Sequence, residues 1–541
     1  MAIRRREAEY KPLLYTTTIR NPERYKDFMC LLYKFNGQVL TNELIGEIER
    51  EFFKVGLYRP MRLPQSAKEK LKSTKTGEFS DIALSDQETL DILNMNDPLI
   101  NPEIKGHKEA GFDRGWPSRF QTQFSLMKTL GFVHYNIGEE IKFSETGYYL
   151  AHSVKIKVKG DIISREIIHP EYEQMAFLQS FCKQQRCNPF IRELNDNIPL
   201  ILLLKVIRRI NNNTLYGNCG ISYKELPLLI FWKDNNDEAL YNRIVQLRKD
   251  YGYNVPDEII EEICVDEILG GFKSFKLKSI VSEYPDEFVR KMRMTGLISF
   301  RGGGRFIDIN HNEDEKIDYI LKTYSQYKKH NNEIEYFNYM SSIDKKLFSI
   351  ETTKVTPKQT ETLLKKWVDY YSWDTIKTEL CNLAERKSSK DNILKFLAAP
   401  VRLEFLTALA IKSKLSEVKV IPNYTCDDEG LPTSTAGGKI GDIECFEHSN
   451  GILVEVTMAE GRTQTSMEVW PIERHLEAFK EKYTENSQCI FIAPSIFHDT
   501  MRQIKFVKMD TGNIIRPYPI NDFIDFLDQA TYLYQKNDCR I

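Results

Sequence analysis

Residues 439–457 read KIGDIECFEHSNGILVEVT, and the rest of the chain takes its meaning from how this stretch folds. Lys439 to Phe446 alternates apolar and polar side chains with the two-residue period of a strand. Ser449-Asn450-Gly451 is turn chemistry, because Asn and Gly accept the left-handed backbone of a tight hairpin. Ile452 to Met458 then reads as a second, largely buried strand. Asp442 lies in the first strand and Glu455 in the second. An antiparallel return brings both to the same end of the sheet. A carboxylate among Leu453, Val454 and Val456 is costly to bury unless it is paired or holds a metal.

Downstream, a loop with Gly461 leads into a helix from about Gln464 to Lys482. The apolar strand Cys489 to Ala493 and helices near Ile496 to Ile504 and Ile520 to Tyr534 follow. Glu468, Ile472 and His475-Leu476 have the spacing of one inward helical stripe. Upstream, Ser388 to Leu415 has a helical pattern with a break expected at Pro400 and a restart at Val401. Glu404 stands there between Leu403 and Phe405. Hairpin, helix and strand in this order predict a compact α/β core. Any one of these acids alone would read as an edge residue or a salt-bridge partner; the combination is more specific. Oxygen-only ligation by clustered carboxylates suits Mg²⁺, which keeps several waters and needs one or two protein carboxylates. Such an ion acidifies water and stabilises charge developing on a phosphodiester. Asp442, a hairpin, then Glu455-Val456-Thr457 has the layout of the PD-(D/E)xK nuclease core, with two departures. Thr457 occupies the position of the Lys, and Gly441 that of the Pro.

Toward the N-terminus, Gly115-Trp116-Pro117-Ser118-Arg119-Phe120 opens a segment with a distinct order. Its elements are helix (Arg119 to Leu130), Gly131 as stop, strand (Phe132 to Tyr135), turn at Gly138, strand (Ile141 to Ser144) and a helix from Thr146. The order recurs as helix (Glu287 to Met294), Gly296, strand (Leu297 to Arg301), a Gly302-Gly303-Gly304 tip and strand (Phe306 to Ile309). Helix, glycine stop and hairpin is how a winged-helix unit ends, so two copies predict tandem DNA-binding modules. Arg114, Arg119, Gln121 and Gln123 then fall at the start of a helix whose side chains reach base edges, Arg to guanine and Gln to adenine. Arg301 and Arg305 flank the glycine tip and are candidate contacts to phosphate or the minor groove. Arg20 and the Arg4-Arg5-Arg6 arm are further candidate DNA contacts; a solvated helix face, an exposed turn and a frayed terminus are the plain alternatives. Asn21-Pro22-Glu23 marks a helix start, Asn42 to Lys54 an amphipathic helix, and Pro199 to Asn211 and Asp237 to Tyr251 two more.

The fold class that follows is multidomain α+β: a mainly helical N-terminal region with tandem winged-helix-like modules, and a C-terminal α/β PD-(D/E)xK-like nuclease core. The expected division is 1–155 and 156–310 for two DNA-recognition regions, 311–345 for an Asn-, Lys- and Glu-rich, partly helical linker, and 346–541 for the catalytic domain. The chain's 541 residues suffice for several cores, and 41% hydrophobic with 11% aromatic residues excludes global disorder. No stretch approaches the ~20 apolar residues of a membrane span, so a cytoplasmic protein is expected. The ten cysteines are scattered with no CxxC and read as reduced thiols, not zinc ligands. A formal net charge of −2 looks unpromising for a DNA partner until basic and acidic residues are seen to fall in different parts of the chain.

The opening Pro12-Leu13-Leu14-Tyr15-Thr16-Thr17-Thr18-Ile19-Arg20-Asn21-Pro22-Glu23-Arg24 and the Gly115 to Phe120 segment resemble the AlwI family of type IIS restriction endonucleases. So do Val454-Glu455-Val456-Thr457, Gly461-Arg462 and Glu473-Arg474-His475-Leu476. That family also holds nicking enzymes. The resemblance implies an N-terminal winged-helix-rich region that reads a short asymmetric site on double-stranded DNA, and a Mg²⁺-dependent C-terminal domain that cuts a few bases away. It places Asp442, Glu455 and Glu468 at the family's acidic positions, with Asp442 and Glu455 on the metal, and matches Glu404 and His475 as well. It makes the missing Lys a family trait and leaves His475 or Glu468 to activate the water. One acidic cluster per chain implies one strand cut per catalytic domain. Double-strand cleavage would need a transient homodimer or a small partner subunit, and a chain without either would nick. The rival readings are a non-catalytic winged-helix DNA-binding protein with a degenerate nuclease domain, and a structure-specific nuclease of the same core.

Overall fold

The computed structural model describes residues 8–535 except 16–18, 20, 73, 75–78, 81, 105–107, 192, 214, 216–218, 272, 354, 438 and 439. Arg20, Arg4-Arg5-Arg6 and Lys439 therefore lie outside the described residues. The architecture is mixed α/β: helices with short hairpins come first, and a five-stranded sheet follows in the last third.

Asn21-Pro22 opens a 3-10 turn, Pro22–Arg24, that runs directly into helix Tyr25–Leu32. Proline fits there because its φ is preset and its missing N–H would have had no helical partner. Helix Asn42–Lys54 is capped by Thr41, whose hydroxyl accepts from the Leu44 N–H. It buries Leu44, Ile45, Ile48, Phe52 and Phe53 on one face. In the first helix–glycine–hairpin segment the helix is Trp116–Thr129, starting three residues earlier than the apolar period suggests because Pro117 occupies its first turn. Strands Val133–His134 and Lys142–Phe143 pair antiparallel, and Ser144 caps the closing helix Glu145–His152.

A second hairpin follows that the sequence reading passed over: Val154–Lys159 paired with Ile162–Ile167. Val154, Ile156 and Ile163 face inward, while Lys155, Lys157 and Lys159 face solvent. The later segment forms helix Tyr284–Arg293 and strands Ile298–Arg301 and Phe306–Ile309, to which the short strand Ile221–Ser222 adds an unforeseen third member. Helices Pro199–Asn211 and Asp237–Tyr251 have the bounds their apolar spacing predicts.

Residues 311–345, the expected partly helical connector, hold two helices with buried faces. Helices Asp314–Tyr324 and Glu333–Ser341 bury Ile317, Ile320, Tyr336, Phe337 and Met340 and pack against helix Pro170–Lys183. Their polar composition hid two narrow apolar stripes. Helices Pro357–Tyr370 and Trp373–Ala384, also unforeseen, lead into Ala399–Lys414. Pro400 sits in the first turn of that last helix, so it starts a helix instead of interrupting one.

The sheet order is Ile515–Pro519, Ser487–Ala493, Asn450–Val456, Ile443–Glu447, Lys419–Pro422. Its central strand Asn450–Val456 runs antiparallel to Ile443–Glu447 and parallel to Ser487–Ala493. The hairpin turn is His448-Ser449, because Glu447 pairs with Asn450, and His448 takes the left-handed φ of 56°. Gly451 lies within the strand for a packing reason: a Cβ there would stand 2.5 Å from Ser487 Oγ and 2.6 Å from the Phe479 ring. The helix expected from Gln464 to Lys482 is two, Gly461–Met467 and Val469–Lys482, with Glu468 at the joint. Among the described residues, no helix is long and apolar enough to cross a membrane.

Candidate active site and DNA-facing residues

Asp442 precedes strand Ile443–Glu447 by one residue instead of lying inside it. The register Ile443 to Val454 places it beside Glu455 at the mouth of the hairpin. Its Oδ2 accepts from the Val456 N–H at 2.8 Å, and its carbonyl accepts from the Asn423 N–H at 2.9 Å. Gly441 explains the departure from proline at this position. A Cβ on residue 441 would fall 2.3 Å from Leu453 Cδ1 and 2.9 Å from Glu455 Oε1, so any side chain there would push against the acid itself.

Glu455 is buried, and its Oε1 meets His475 Nδ1 at 2.9 Å from the helix Val469–Lys482. With its proton on Nδ1 the imidazole donates to the carboxylate. Glu468 reaches the site from the joint between the two helices. Its Oε1 accepts from the Thr457 hydroxyl at 2.9 Å, and Thr457 Oγ1 accepts in turn from the Ala459 N–H at 3.0 Å. Thr457, at the position of the missing Lys, thus has a specific partner that sequence reading did not assign. Glu404 closes the group from helix Ala399–Lys414, 3% exposed, its Oε2 accepting from the Ala436 N–H at 3.0 Å.

The structure therefore brings Asp442 and Glu455 from the mouth of the hairpin, Glu404 and His475 from two helices and Glu468 from the joint before the second of them into one place. Burial raises the pKa of all four carboxyls. Mutual repulsion adds to burial: Asp442 acts on Glu404, Glu455 and Glu468 act on Asp442, and Glu468 and Glu404 act on Glu455. The Val456 N–H opposes the rise at Asp442, and the Thr457 hydroxyl opposes it at Glu468. Like charges packed this way ionise together only if positive charge is supplied. The donor set is carboxylate oxygen, which fits a hard divalent cation. Among the described residues no three His, Cys, Asp or Glu side chains stand ready to hold one ion, so the fit rests on the Asp442–Glu455 pair plus water.

The residues read as DNA contacts fare differently. Gln123 is fully buried and donates Nε2 to Glu49 Oε2 at 3.3 Å. It is a core residue, not a base reader: it stands on the buried stripe Phe120, Phe124 and Met127 of its helix. Burial pushes the Glu49 carboxyl up to about 8, a rise that Gln123 and Arg119 oppose. Gln121 and Arg114 are half-buried, Arg114 donating to the Ile104 carbonyl at 2.8 Å. Arg119 is exposed, with its guanidinium 5.9 Å from the centre of the Tyr58 ring.

Arg301 is spent within the protein. It bonds Asp428 Oδ2 at 2.5 Å and lies 3.3 Å from Glu429 and 3.6 Å from Asp308. The glycine tip packs against the C-terminal third: a Cβ on Gly303 would sit 2.6 Å from Tyr370 Oη, and one on Gly304 3.0 Å from Ile393 Cγ1. Gly303 and Gly304 permit close approach of backbone to protein and Arg301 is held by the acids there, while Gly302 stays exposed. Arg305 beside them is exposed. The basic hairpin Val154–Lys159 was missed although its alternation, Val-Lys-Ile-Lys-Val-Lys, is the period-two signal of a half-buried strand.

The AlwI restriction endonuclease family model matches residues 129–372 and 345–526. No curated protein matches the chain. Among solved structures, the small subunit (R.BspD6I2) of the heterodimeric restriction endonuclease R.BspD6I is 24% identical over 28% of this chain and 77% of its own, with a TM-score of 0.24. Restriction endonuclease FokI is 10% identical over 97% of both chains at TM-score 0.24. FokI bound to DNA is 12% identical over 98% of this chain and 97% of its own at 0.23.

Proposed function

This chain belongs to the AlwI restriction endonuclease family, whose members are site-specific DNA nucleases, and from that membership we propose that it is a type IIS enzyme that cuts a few bases outside a short asymmetric site. The observation that carries the reading is the convergence of Asp442, Glu455, Glu468 and Glu404 with His475 in one buried cluster. We assign recognition to winged-helix-like modules within 1–155 and 156–310, and catalysis to a PD-(D/E)xK-like core within 346–541, in a cytoplasmic protein. Arg119 and Arg305, both exposed, are the candidate DNA contacts that remain accessible.

Asp442 and Glu455 would hold Mg²⁺. When bound, that ion supplies positive charge to the phosphodiester in the transition state and makes water more acidic. His475 fixes the orientation of Glu455 through Nδ1. Glu468, steadied by Thr457, takes the proton from the attacking water, which enters in line with the departing oxygen. Glu404 adds a further negative charge beside Asp442, which strengthens the demand for a cation. The cluster then does the work usually shared with a lysine.

One cluster per chain severs one strand. Double-strand cleavage requires a second catalytic domain, from a transient homodimer or a small partner subunit, and a chain that stays single nicks. Digestion of a sequenced plasmid with Mg²⁺, with both strand ends mapped, tests the proposal. Ends at a fixed offset beside one recurring sequence, lost in Asp442→Ala, are expected. Random ends, or specific binding without scission in Mg²⁺ or Mn²⁺, would replace the proposal with the structure-specific or the non-catalytic reading.

A further inference from the structure

Hairpin Val154–Lys159 with Ile162–Ile167 presents two unlike faces. The inner one is anchored by Val154, Ile156 and Ile163, and by Arg165, whose Nε donates to Asp27 Oδ1 at 2.8 Å. The outer one carries Lys155, Lys157 and Lys159 in a row, opposite Glu166, Ser164 and Ile162 respectively. Among the described residues none of the three lysines has an acidic group within 4.0 Å, not even Lys155 facing Glu166. Alternate positions on a strand are about 6.8 Å apart, so the three ammonium groups mark out a line of roughly 14 Å. Three exposed like charges in a row are unfavourable for the isolated protein and imply a polyanionic partner.

The position of the row says which one. At one end the hairpin continues from helix Glu145–His152, which closes the first helix–glycine–hairpin segment. At the other its turn touches helix Gly461–Met467: Asp161 lies 3.5 Å from Arg462, and Thr463 Oγ1 donates to the Ile163 carbonyl at 3.5 Å. That helix ends at Glu468. The lysine row thus runs from the N-terminal segment to the first turn of the helix whose far end leads to Glu468.

We infer that Lys155, Lys157 and Lys159 form a phosphate-binding ribbon that holds the duplex between the recognised sequence and the scissile bond. This rests on the functional reading above and adds to it a surface none of the assigned residues occupies. The ribbon contacts backbone phosphates and carries no sequence preference of its own. It gives the DNA a fixed path into the cluster, at a place where the −2 net charge would otherwise offer little attraction.

The test measures binding of the full chain to a duplex bearing its cleavage site, without divalent cation, from 50 to 400 mM KCl, for wild type, a triple Lys→Gln variant and a triple Lys→Arg variant at 155, 157 and 159. Each phosphate contact contributes about 0.9 to the slope of log affinity against log salt. The Gln variant is expected to lose about 2.7 from the slope and up to roughly 500-fold in affinity at 0.1 M salt. The Arg variant keeps the wild-type slope, and Glu166→Gln binds more tightly than wild type. A Gln variant with the wild-type slope, or an Arg variant as weak as the Gln one, overturns the ribbon. If wild type cleaves at a fixed site while the Gln slope is unchanged, only the ribbon falls; if wild type neither binds nor cuts duplex DNA, the functional reading falls with it.

Discussion

Asp442→Asn should make the cation-free protein more stable while abolishing its activity. The substitution keeps the shape and keeps an oxygen to accept from the Val456 N–H, but removes a charge from a cluster in which every carboxyl has a raised pKa. In the unfolded chain an aspartate ionises near pH 3.9; in the folded one it ionises only at higher pH. Between those two pH values the folded state carries a proton that the unfolded state has released. Stability from this group is therefore full below the unfolded pKa and is lost as pH rises toward the folded one. A carboxyl still protonated at pH 7 costs at most about 4 kcal/mol. At roughly 2–4 °C per kcal/mol for a folding unit of 150–250 residues, the asparagine variant should melt up to about 8–16 °C higher in EDTA at pH 7. The gap should close near pH 4. Mg²⁺ at 100 times its Kd should return about 2.7 kcal/mol to wild type and nothing comparable to the variant. Strand scission should fall by about 10³-fold or more, the equivalent of several kcal/mol of lost transition-state stabilisation. Thermal melts at pH 4.5 and 7, with and without Mg²⁺, decide the matter. A variant that melts below wild type at pH 7 in EDTA, or a gap independent of pH, refutes the account of the cluster.

Three further outcomes follow from the same geometry. Thr457→Val removes the hydroxyl that Glu468 accepts from, a charged hydrogen bond of about 1.5–3 kcal/mol; kcat should drop roughly 10- to 150-fold with KM little changed, Thr457→Ser should recover most of it, and equal rates for the two variants would exclude the positioning role. Arg301→Ala takes the cation from Asp428 at the docked glycine tip, while Glu429 keeps Lys366, and should cost about 3–5 kcal/mol, as breaking a largely buried ion pair does, read as a lowered denaturation midpoint; an unchanged midpoint would mean the tip is not held there. Replacing Glu49 and Gln123 together by Leu and Met should leave the recognised sequence unaltered and stability close to wild type, since removing both buried polar partners at once is nearly neutral; altered site preference would return Gln123 to the reading surface.

The hairpin that carries Glu455, with Asp442 at its mouth, was legible because its signals are local. Period-two alternation and two acids in apolar surroundings locate Asp442 and Glu455 without any knowledge of the rest. The turn was misplaced by two residues because Gly451 looks like turn chemistry but is required by Ser487 and Phe479, which lie far along the chain. The break at Glu468 was hidden for a similar reason: helical spacing continues through it, and only Thr457 across the site shows why the acid sits at a joint. Arg301 and the glycine tip read as an exposed wing because nothing in Arg-Gly-Gly-Gly-Arg reveals that Asp428, Glu429 and Tyr370 cover it. Gln123 was assigned outward by residue type when the helix period places it inward. At the turn, the joint and the glycine tip what the sequence withheld was a contact between distant segments, whereas Gln123 and hairpin Val154–Lys159 carry local signals of their own.

Recombination, in the laboratory or in evolution, would find its seam in this chain later than composition suggests. A chimaera joined at residue 311 would carry helices Asp314–Tyr324 and Glu333–Ser341 away from their bed on Pro170–Lys183, leaving Tyr336, Phe337 and Met340 bare on one fragment and a matching apolar trough on the other. A join after residue 349, where the last short helix of this stretch ends, keeps that seal intact. The unit that travels whole is therefore the N-terminal helices with their folded tail, and an exchanged C-terminal segment begins with the helix at Pro357.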